Sequence, residues 1–166
     1  PANKEWAGFG HNRTDPNSLP INKITTVYED SRQRIWFGTE GAGLCRYDYD
    51  KNIFIKFDPD SKILPGQIIY RMEEDGNNNF WISSNSGLIC LNPDSKEVLG
   101  HFTKEDGLQS NQFNLRSSLK AADGRMYFGG INGFNAFYPK DICRLYTSDA
   151  ADEEDSLDLV GHRNVQ

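Results

Sequence analysis

Short runs of alternating apolar and polar residues, separated by polar and glycine-rich turns, fill most of the chain. Ile53, Ile55 and Phe57, for example, alternate with Phe54 and Lys56, so one face of that segment is apolar and the other is mixed. A period of two predicts β-strands that bury one face. The predicted strands are 24–29, 34–38, 44–48, 53–57, 68–72, 80–83, 88–91, 97–102, 113–120, 125–128 and 134–137.

One strand–turn–strand pattern occurs three times. Trp36 and Trp81 lie 45 residues apart, and Trp81 and Tyr127 lie 46 residues apart in equivalent surroundings. Strands and turns that repeat with this period are typical of propeller blades. The sequence therefore predicts an all-β fold, a partial β-propeller of about three four-stranded antiparallel blades.

The repeat divides the chain into five parts. Residues 1–20 are expected to hold an outer strand, around Trp6 and Phe9, and the connection from a preceding blade. Residues 21–63 and 64–104 form two blades, and 105–142 form a final blade. Residues 143–166 form an acidic tail.

The repeated residues are assigned structural roles. Wide aromatic side chains fill the space between neighbouring blades: Trp36, Trp81 and Tyr127. Glycines begin the strand that follows, where a positive φ is expected: Gly43, Gly87 and Gly133. Aspartates accept hydrogen bonds from turn amides: Asp30, Asp75 and Asp123. The Asp123-Gly124 turn is expected to be a tighter, two-residue hairpin.

Composition excludes some functional classes. The chain has 166 residues, a net charge of −6 and a pI near 5.0, which argues against nucleic-acid partners and binding to anionic membranes. It contains no apolar run of 18 residues, so no membrane insertion is predicted. The first residue is Pro1 rather than Met, and no signal peptide precedes it, so the chain is expected to be a fragment or a processed product.

The tail differs from the repeats in composition. Residues 143–166 contain six acidic and two basic residues and so carry −4 of the net charge. Segments of this kind tend to be disordered. Residues 145–153 also resemble the translated sequencing-adapter read-through found at the ends of some open reading frames, so the tail is expected not to be native.

No constellation of catalytic or metal-binding residues is found. The three histidines, His11, His101 and His162, match no hydrolase motif, and His101 is expected to be a half-exposed strand residue. Residues 38–43 lack the Lys-Ser/Thr of a phosphate-binding loop. No aspartate pair has the loop of a calcium site. Cys45 and Cys90 are expected to be buried free thiols on opposite strand faces. No enzymatic activity, cofactor or metal is predicted.

The residues match a known family. Residues 30–48 read Asp-x-x-x-x-Ile-Trp-Phe-Gly-Thr-x-Gly-x-Gly-Leu-x-Arg-Tyr-Asp, which resembles the two-component regulator propeller repeat. Residues 15–20 resemble its inter-blade connection. Residues 106–114 together with 128–139 resemble the final blade of the sensor region in bacterial hybrid two-component histidine kinases. The resemblance covers residues 9–142.

The resemblance implies a larger parent protein. Such sensors carry a periplasmic pair of seven-bladed propellers, a β-sandwich domain, one membrane helix and a cytoplasmic kinase. Many sense oligosaccharides released from glycans. The resemblance therefore implies a periplasmic sensor fragment, whose partners are an oligosaccharide, the remaining blades, the β-sandwich domain and a second copy of the parent.

The candidate ligand-binding residues precede and begin the inner strand of the third unit. They are Asn111, Gln112, Asn114 and Arg116. Amides and a guanidinium suit sugar hydroxyls or an acidic sugar. The same amides could instead satisfy backbone groups between blades. Two other functions remain open: a fragment of a propeller enzyme, either a lyase or a glycan-cleaving enzyme, and a protein-docking scaffold.

Overall fold

The regular structure of the chain consists almost entirely of short strands. The structure, a computed structural model, describes residues 6–58 and 60–142. In this part of the chain a 3-10 helix, Lys104–Asp106, precedes the ninth strand. The strands are β1 Ile24–Glu29, β2 Ile35–Thr39, β3 Leu44–Asp48, β4 Ile53–Lys56, β5 Ile69–Glu74, β6 Phe80–Ser84, β7 Gly87–Asn92, β8 Glu97–Phe102, β9 Phe113–Lys120, β10 Met126–Gly130 and β11 Gly133–Phe137.

The strands form three antiparallel sheets in the order of the chain. The first sheet is β1-β2-β3-β4, the second is β5-β6-β7-β8, and the third is β9-β10-β11. The first strands of the sheets, β1, β5 and β9, contact one another across the sheet boundaries. They are therefore the inner strands of three neighbouring blades, and the predicted all-β partial propeller is confirmed. The third sheet has three strands, and the described residues up to 142 add no fourth.

The loop between the first two strands has the same length in every blade. Residues 30–34, 75–79 and 121–125 are each closed by an N–H of the first residue that donates to the carbonyl of the last, at 3.0, 2.9 and 2.8 Å. The two-residue hairpin expected at Asp123-Gly124 is therefore wrong. The pairing of β9 with β10 fixes the loop length, and Ala121 occupies the position of Asp30 and Asp75.

In two blades the turn aspartate also holds the tryptophan. Oδ1 of Asp30 accepts hydrogen bonds from the backbone N–H groups of Arg32 and Arg34, and Oδ2 accepts one from Nε1 of Trp36 at 2.8 Å. Asp75 repeats this arrangement, with Trp81 Nε1 at 3.1 Å. Each carboxylate thus closes a turn and orients a buried indole ring, which ties the hairpin to the core.

The third blade replaces both members of this pair. Ala121 supplies no carboxylate, and Tyr127 carries no indole N–H. Asp123 still accepts a turn hydrogen bond, from Arg125 N at 3.0 Å, and its other oxygen accepts one from the Tyr138 hydroxyl at 3.0 Å. The expectation that Asp123 binds a turn amide is confirmed, although its position in the loop differs.

An ion-pair network joins the first two blades. Arg34 donates to Asp30 and Asp94, and Arg32 donates to Asp94, at 2.6 Å in each case. Burial alone would raise the pKa of Asp30, but the hydrogen bonds from Arg34 and Trp36 outweigh it and hold the pKa below its ordinary value. Asp94 lies in the β7–β8 turn, so the network links two sheets.

The three repeated glycines have positive φ angles. The values are 64° at Gly43, 110° at Gly87 and 108° at Gly133. Gly87 is also sterically confined, because a Cβ atom there would lie 2.2 Å from the carbonyl oxygen of Phe102. Glycine is required at this position for both reasons.

Apolar side chains fill the spaces between the sheets. Trp36 packs edge-to-face against Phe80 of the next sheet, with ring centroids 5.2 Å apart. Trp81 packs in the same direction against Phe137, at 4.7 Å. The largest cluster lies between the first and second sheets, and another lies between the second and third. The repeated tryptophans therefore pack each blade against its successor.

The two ends of the array differ. On the first sheet, Phe9 packs on Tyr47 and Phe54, and the N–H of Phe54 donates to the carbonyl of Asn17 at 2.8 Å. The strand expected around Trp6 and Phe9 is not formed in the described part, residues 6–23, because no described strand lies alongside to pair with it. These residues pack on the first sheet as an irregular segment.

The last sheet leaves one apolar face open. Tyr127 takes the place of the tryptophans and contacts Phe134 at 6.3 Å. Leu119 pairs with Tyr127 across the strands, and Leu119 and Phe134 are 59% and 66% exposed. In the other two sheets, the following blade covers this face.

The cysteines lie where alternation predicts. Both are buried. Cys45 faces the N-terminal side of the first sheet, with Leu19 and Phe54, whereas Cys90 packs toward the third sheet. Burial raises the pKa of the Cys45 thiol to about 12, against a small opposing effect of Lys56. The expected pair of buried thiols on opposite faces is confirmed.

Candidate ligand-binding site

Polar side chains connect the three inner strands. Nε of Arg71 on β5 donates to the Ser118 hydroxyl on β9 at 3.1 Å, and its Nη1 donates to the Thr26 hydroxyl on β1 at 3.3 Å. The Ser118 hydroxyl donates to Glu73 at 2.6 Å. Arg71 therefore fixes the spacing of three blades on the inner side, a role that the sequence repeat did not reveal.

The inner strand of the third blade contains an enlarged bulge. On β1 and on β5, a single residue lies outside the pairing with the neighbouring strand, between Ile24 and Thr26 and between Ile69 and Arg71. On β9, residues 114–117 lie opposite Gly129 alone. The bulge of β9 therefore contains three more unpaired residues than the bulges of β1 and β5. Bulges of this kind often lie beside functional sites.

Arg116 lies within this bulge in a rare conformation. Its φ is 62°, in the left-handed region that non-glycine residues seldom adopt. Arg116 is exposed and lines a shallow hollow of about 270 Å³ beside Ser118 and Tyr127. Backbone strain held by the surrounding structure is a feature of ligand-binding positions.

The four predicted residues separate into two pairs. Oδ1 of Asn111 accepts a hydrogen bond from Lys104 N at 2.6 Å, and Nδ2 of Asn114 donates to the carbonyl of Gly130 at 3.0 Å. These two amides satisfy backbone groups within the third blade. The side chains of Gln112 and Arg116 are exposed and have no polar partner among the described residues. The side chains of Gln112 and Arg116 are therefore available to a ligand.

An amide network that the sequence analysis missed supports this region. Gln109 Oε1 accepts from Asn132 N at 2.8 Å, Gln109 N donates to Asn135 Oδ1 at 3.0 Å, and Gln109 Nε2 donates to Gln112 O at 3.3 Å. A Cβ atom on Gly130 would lie 1.8 Å from Nε2 of Gln109. The loop before β9 is thus held against the β10–β11 turn. In the sequence, the Gly129-Gly130 pair could have indicated that another segment approaches the backbone closely at this point.

The two described histidines each contact a backbone carbonyl. Nδ1 of His11 lies 2.7 Å from the carbonyl of Leu19, and Nε2 of half-buried His101 lies 2.5 Å from the carbonyl of Ser86. These bonds give both rings structural roles. Across residues 6–58 and 60–142, no group of three His, Cys, Asp or Glu side chains is placed to hold a metal ion. Over the same ranges, no helix is long and apolar enough to cross a membrane.

Comparisons with known proteins agree with the repeat. The two component regulator propeller model matches residues 18–41. Histidine kinase P4 of Formosa agariphila is 37% identical over 190 aligned residues, covering 84% of this chain and 14% of that protein. The chain therefore spans about one seventh of this relative.

Two solved structures share the fold. Both are extracellular domains assigned to hybrid two component systems of B. thetaiotaomicron. The BT3049 domain superposes with a TM-score of 0.70 at 22% sequence identity, and the match covers 81% of this chain and 18% of the BT3049 chain. The BT4673 domain superposes with a TM-score of 0.67 at 22% identity, and the match covers 78% of this chain and 19% of the BT4673 chain. The chain therefore contains a match to the two component regulator propeller repeat and shares the fold of the extracellular domains of these hybrid two component systems.

Proposed function

We propose that the chain is the ligand-sensing part of a periplasmic two-component sensor and that its ligand is an oligosaccharide released from a glycan. The observation that supports this most strongly is the enlarged bulge of β9, which presents Arg116 and the nearby Gln112 without polar partners in the described structure. A guanidinium and a primary amide offer several directed donors to sugar hydroxyls or to a sugar carboxylate.

The arrangement favours binding without catalysis. The neighbouring Asn111 and Asn114 hold backbone groups, so the bulge is rigidly supported while two side chains remain free. The Ser118 hydroxyl in the same hollow accepts from Arg71 and donates to Glu73, bonds that join neighbouring blades and fit a structural role. Binding energy from such a site would be available to shift a conformational equilibrium in the parent protein. The remaining blades, a β-sandwich domain and a second copy of the parent are its proposed partners.

The test is a titration of the chain against oligosaccharides released from neutral and acidic plant, algal and host glycans. We expect at least one of them to bind, and Arg116→Ala and Gln112→Ala each to weaken that binding by about tenfold or more, which is the loss of roughly one directed polar interaction. Lys120→Ala, an exposed substitution at the far end of the same strand, is the matched control. Unchanged affinity in both site variants, or no binding across the panel, would refute the proposed site.

The parent activity has its own test. The complete reading frame is expected to encode a membrane helix and a histidine kinase after the propeller. Autophosphorylation of the full-length protein in vesicles should respond to the same oligosaccharide, and Arg116→Ala should remove the response while leaving basal phosphorylation unchanged. A reading frame that stops soon after Pro139 would contradict the sensor assignment.

A further inference from the structure

A second groove lies away from the inner strands, at the outer side of the junction between the first two sheets. It has a volume of about 190 Å³, and Trp36, Ile55 and Phe57 supply its apolar floor. Four basic residues also line it, Arg34, Arg46, Lys56 and Lys96, together with one carboxylate, Asp94. The repeated packing of the blades accounts for the floor but not for this concentration of positive charge.

The register of the strands shows that Arg46 is not required by blade packing. Arg46 lies directly across from Trp36 in the first sheet. Cys90 lies across from Trp81 in the second sheet, and Ala136 lies across from Tyr127 in the third. In the other two blades this position is therefore occupied by a small side chain. The first blade alone places a guanidinium there.

The cations are only partly neutralised. Arg34 is held by Asp30 and Asp94, at 2.6 Å from each. Arg46 is half-buried and has no ion-pair or hydrogen-bond partner among the described residues. Nζ of Lys96 donates to the backbone carbonyl of Phe57 at 3.0 Å, and its charge helps to lower the pKa of the nearby Asp58 carboxylate, with which it makes no ion pair. Arg46 and Lys96 thus face the groove without an ion pair to a described carboxylate, in a chain whose net charge is −6.

The aromatic floor adds to the case for a ligand. Lys96 lies over the ring of Phe57 at 5.3 Å, and Arg34 lies over the ring of Trp36 at 5.4 Å. These contacts hold the cations along the walls. Charge-assisted hydrogen bonds from a guanidinium and an ammonium are a strong means of holding an oxyanion.

We propose that this groove binds an oxyanion group, a carboxylate or a sulfate, with Arg46 and Lys96 as its ligands. The site is separate from the one on β9 and does not depend on it. The corresponding groove at the second junction, beside Trp81, provides a contrast. It is lined by Leu88, Phe102 and Phe137 and by no Lys or Arg. It should not bind the same group.

The experiment is an NMR titration of the ¹⁵N-labelled chain with sodium sulfate and with sodium glucuronate at constant ionic strength, using glucose and sodium chloride as reference titrants. The chain contains three tryptophans, so three indole signals report on three places. We expect the Trp36 signal to shift saturably with at least one of the two oxyanions, while the Trp81 signal does not. A response to sulfate alone or to glucuronate alone identifies the oxyanion class.

Charge-removing variants test the assignment. Arg46→Gln should weaken binding by tenfold or more. Lys96→Gln, at an exposed position that does not endanger folding, should weaken it at least threefold. Lys51→Gln removes an equal charge from the β3–β4 turn and should change nothing. The proposal is overturned if neither oxyanion shifts Trp36 saturably, or if both site variants bind like the Lys51→Gln control.

Discussion

Substitution of Asp30 by asparagine tests whether the aspartate–tryptophan pair stabilises the blades. Asp30 is 4% exposed, and its carboxylate accepts four hydrogen bonds. Asparagine can keep Oδ1 as the acceptor for the turn amides. Its Nδ2 group would then face two donors, Nε of Arg34 and Nε1 of Trp36, so both of those bonds are lost.

The expected loss of stability follows from these two bonds. A hydrogen bond to a charged group contributes about 1.5–3 kcal/mol, and a buried donor left unpaired adds its desolvation cost. Arg34 keeps its bond to Asp94, which limits the loss. We therefore expect Asp30→Asn to lower the free energy of unfolding by about 2–4 kcal/mol. For a chain of this size, that corresponds to a fall in Tm of roughly 5–15 °C.

Urea unfolding followed by far-ultraviolet circular dichroism measures this effect. The control is Asp60→Asn, which removes an exposed carboxylate 3.4 Å from Lys62 and should change stability by less than about 0.5 kcal/mol. A result for Asp30→Asn equal to that of the control would refute the reasoning that the carboxylate anchors the indole.

The pH dependence provides a second test of the same group. The pKa of Asp30 is lower in the folded protein than its ordinary value of 3.8. Its contribution to stability is therefore complete above about pH 4 and is lost as the pH falls toward the folded-state pKa. The difference between the wild type and Asp30→Asn should shrink over that range. Asp58 also has a lowered pKa, but it remains in the variant and cancels in the comparison. Asp94 shares Arg34 with Asp30, so the comparison reports on the Asp30–Arg34–Asp94 network as a unit.

Three further predictions follow from particular contacts. Gly87→Ala should destabilise the protein by about 1–3 kcal/mol more than Gly133→Ala in urea unfolding, because φ is similar at both positions but only Gly87 faces a carbonyl. Equal losses would contradict the clash. The Cys45 thiol should react with a disulfide reagent at pH 8 at least 100-fold more slowly in the folded than in the unfolded chain, since it is buried with a pKa of about 12. Phe134→Ser should reduce self-association in sedimentation experiments without lowering Tm, because this ring is 66% exposed.

The strands could be predicted from sequence because their alternation is strong and repeated. Four of them, including β1 and β8, have the predicted bounds, and the others shift by one or two residues at one or both ends. The third hairpin could not be predicted from its local Asp123-Gly124 signal. Its length is set by the pairing of β9 with β10 and by the core beneath, where Met126 and Phe128 must face the second sheet.

The candidate site was only partly visible in the sequence. Asn111 and Arg116 stood out because the sequence between them differs from the corresponding segments of the first two units. Sequence could not show that Asn111 and Asn114 bind backbone groups, because those partners lie in the 3-10 helix and at the end of β10, which only the fold brings close. Nor could it show the size of the bulge, which depends on where β9 pairs with β10.

Comparison of equivalent positions separates structural from functional residues within one chain. Where the blades need the same packing, the residues recur, as at Trp36 and Trp81 with their aspartates. A position that changes between blades without loss of the fold is free to serve another purpose. Arg46, opposite Trp36, and Arg116, in the enlarged bulge, are both such positions. Because neither guanidinium has a polar partner among the described residues, we propose ligand binding as the function of both arginines.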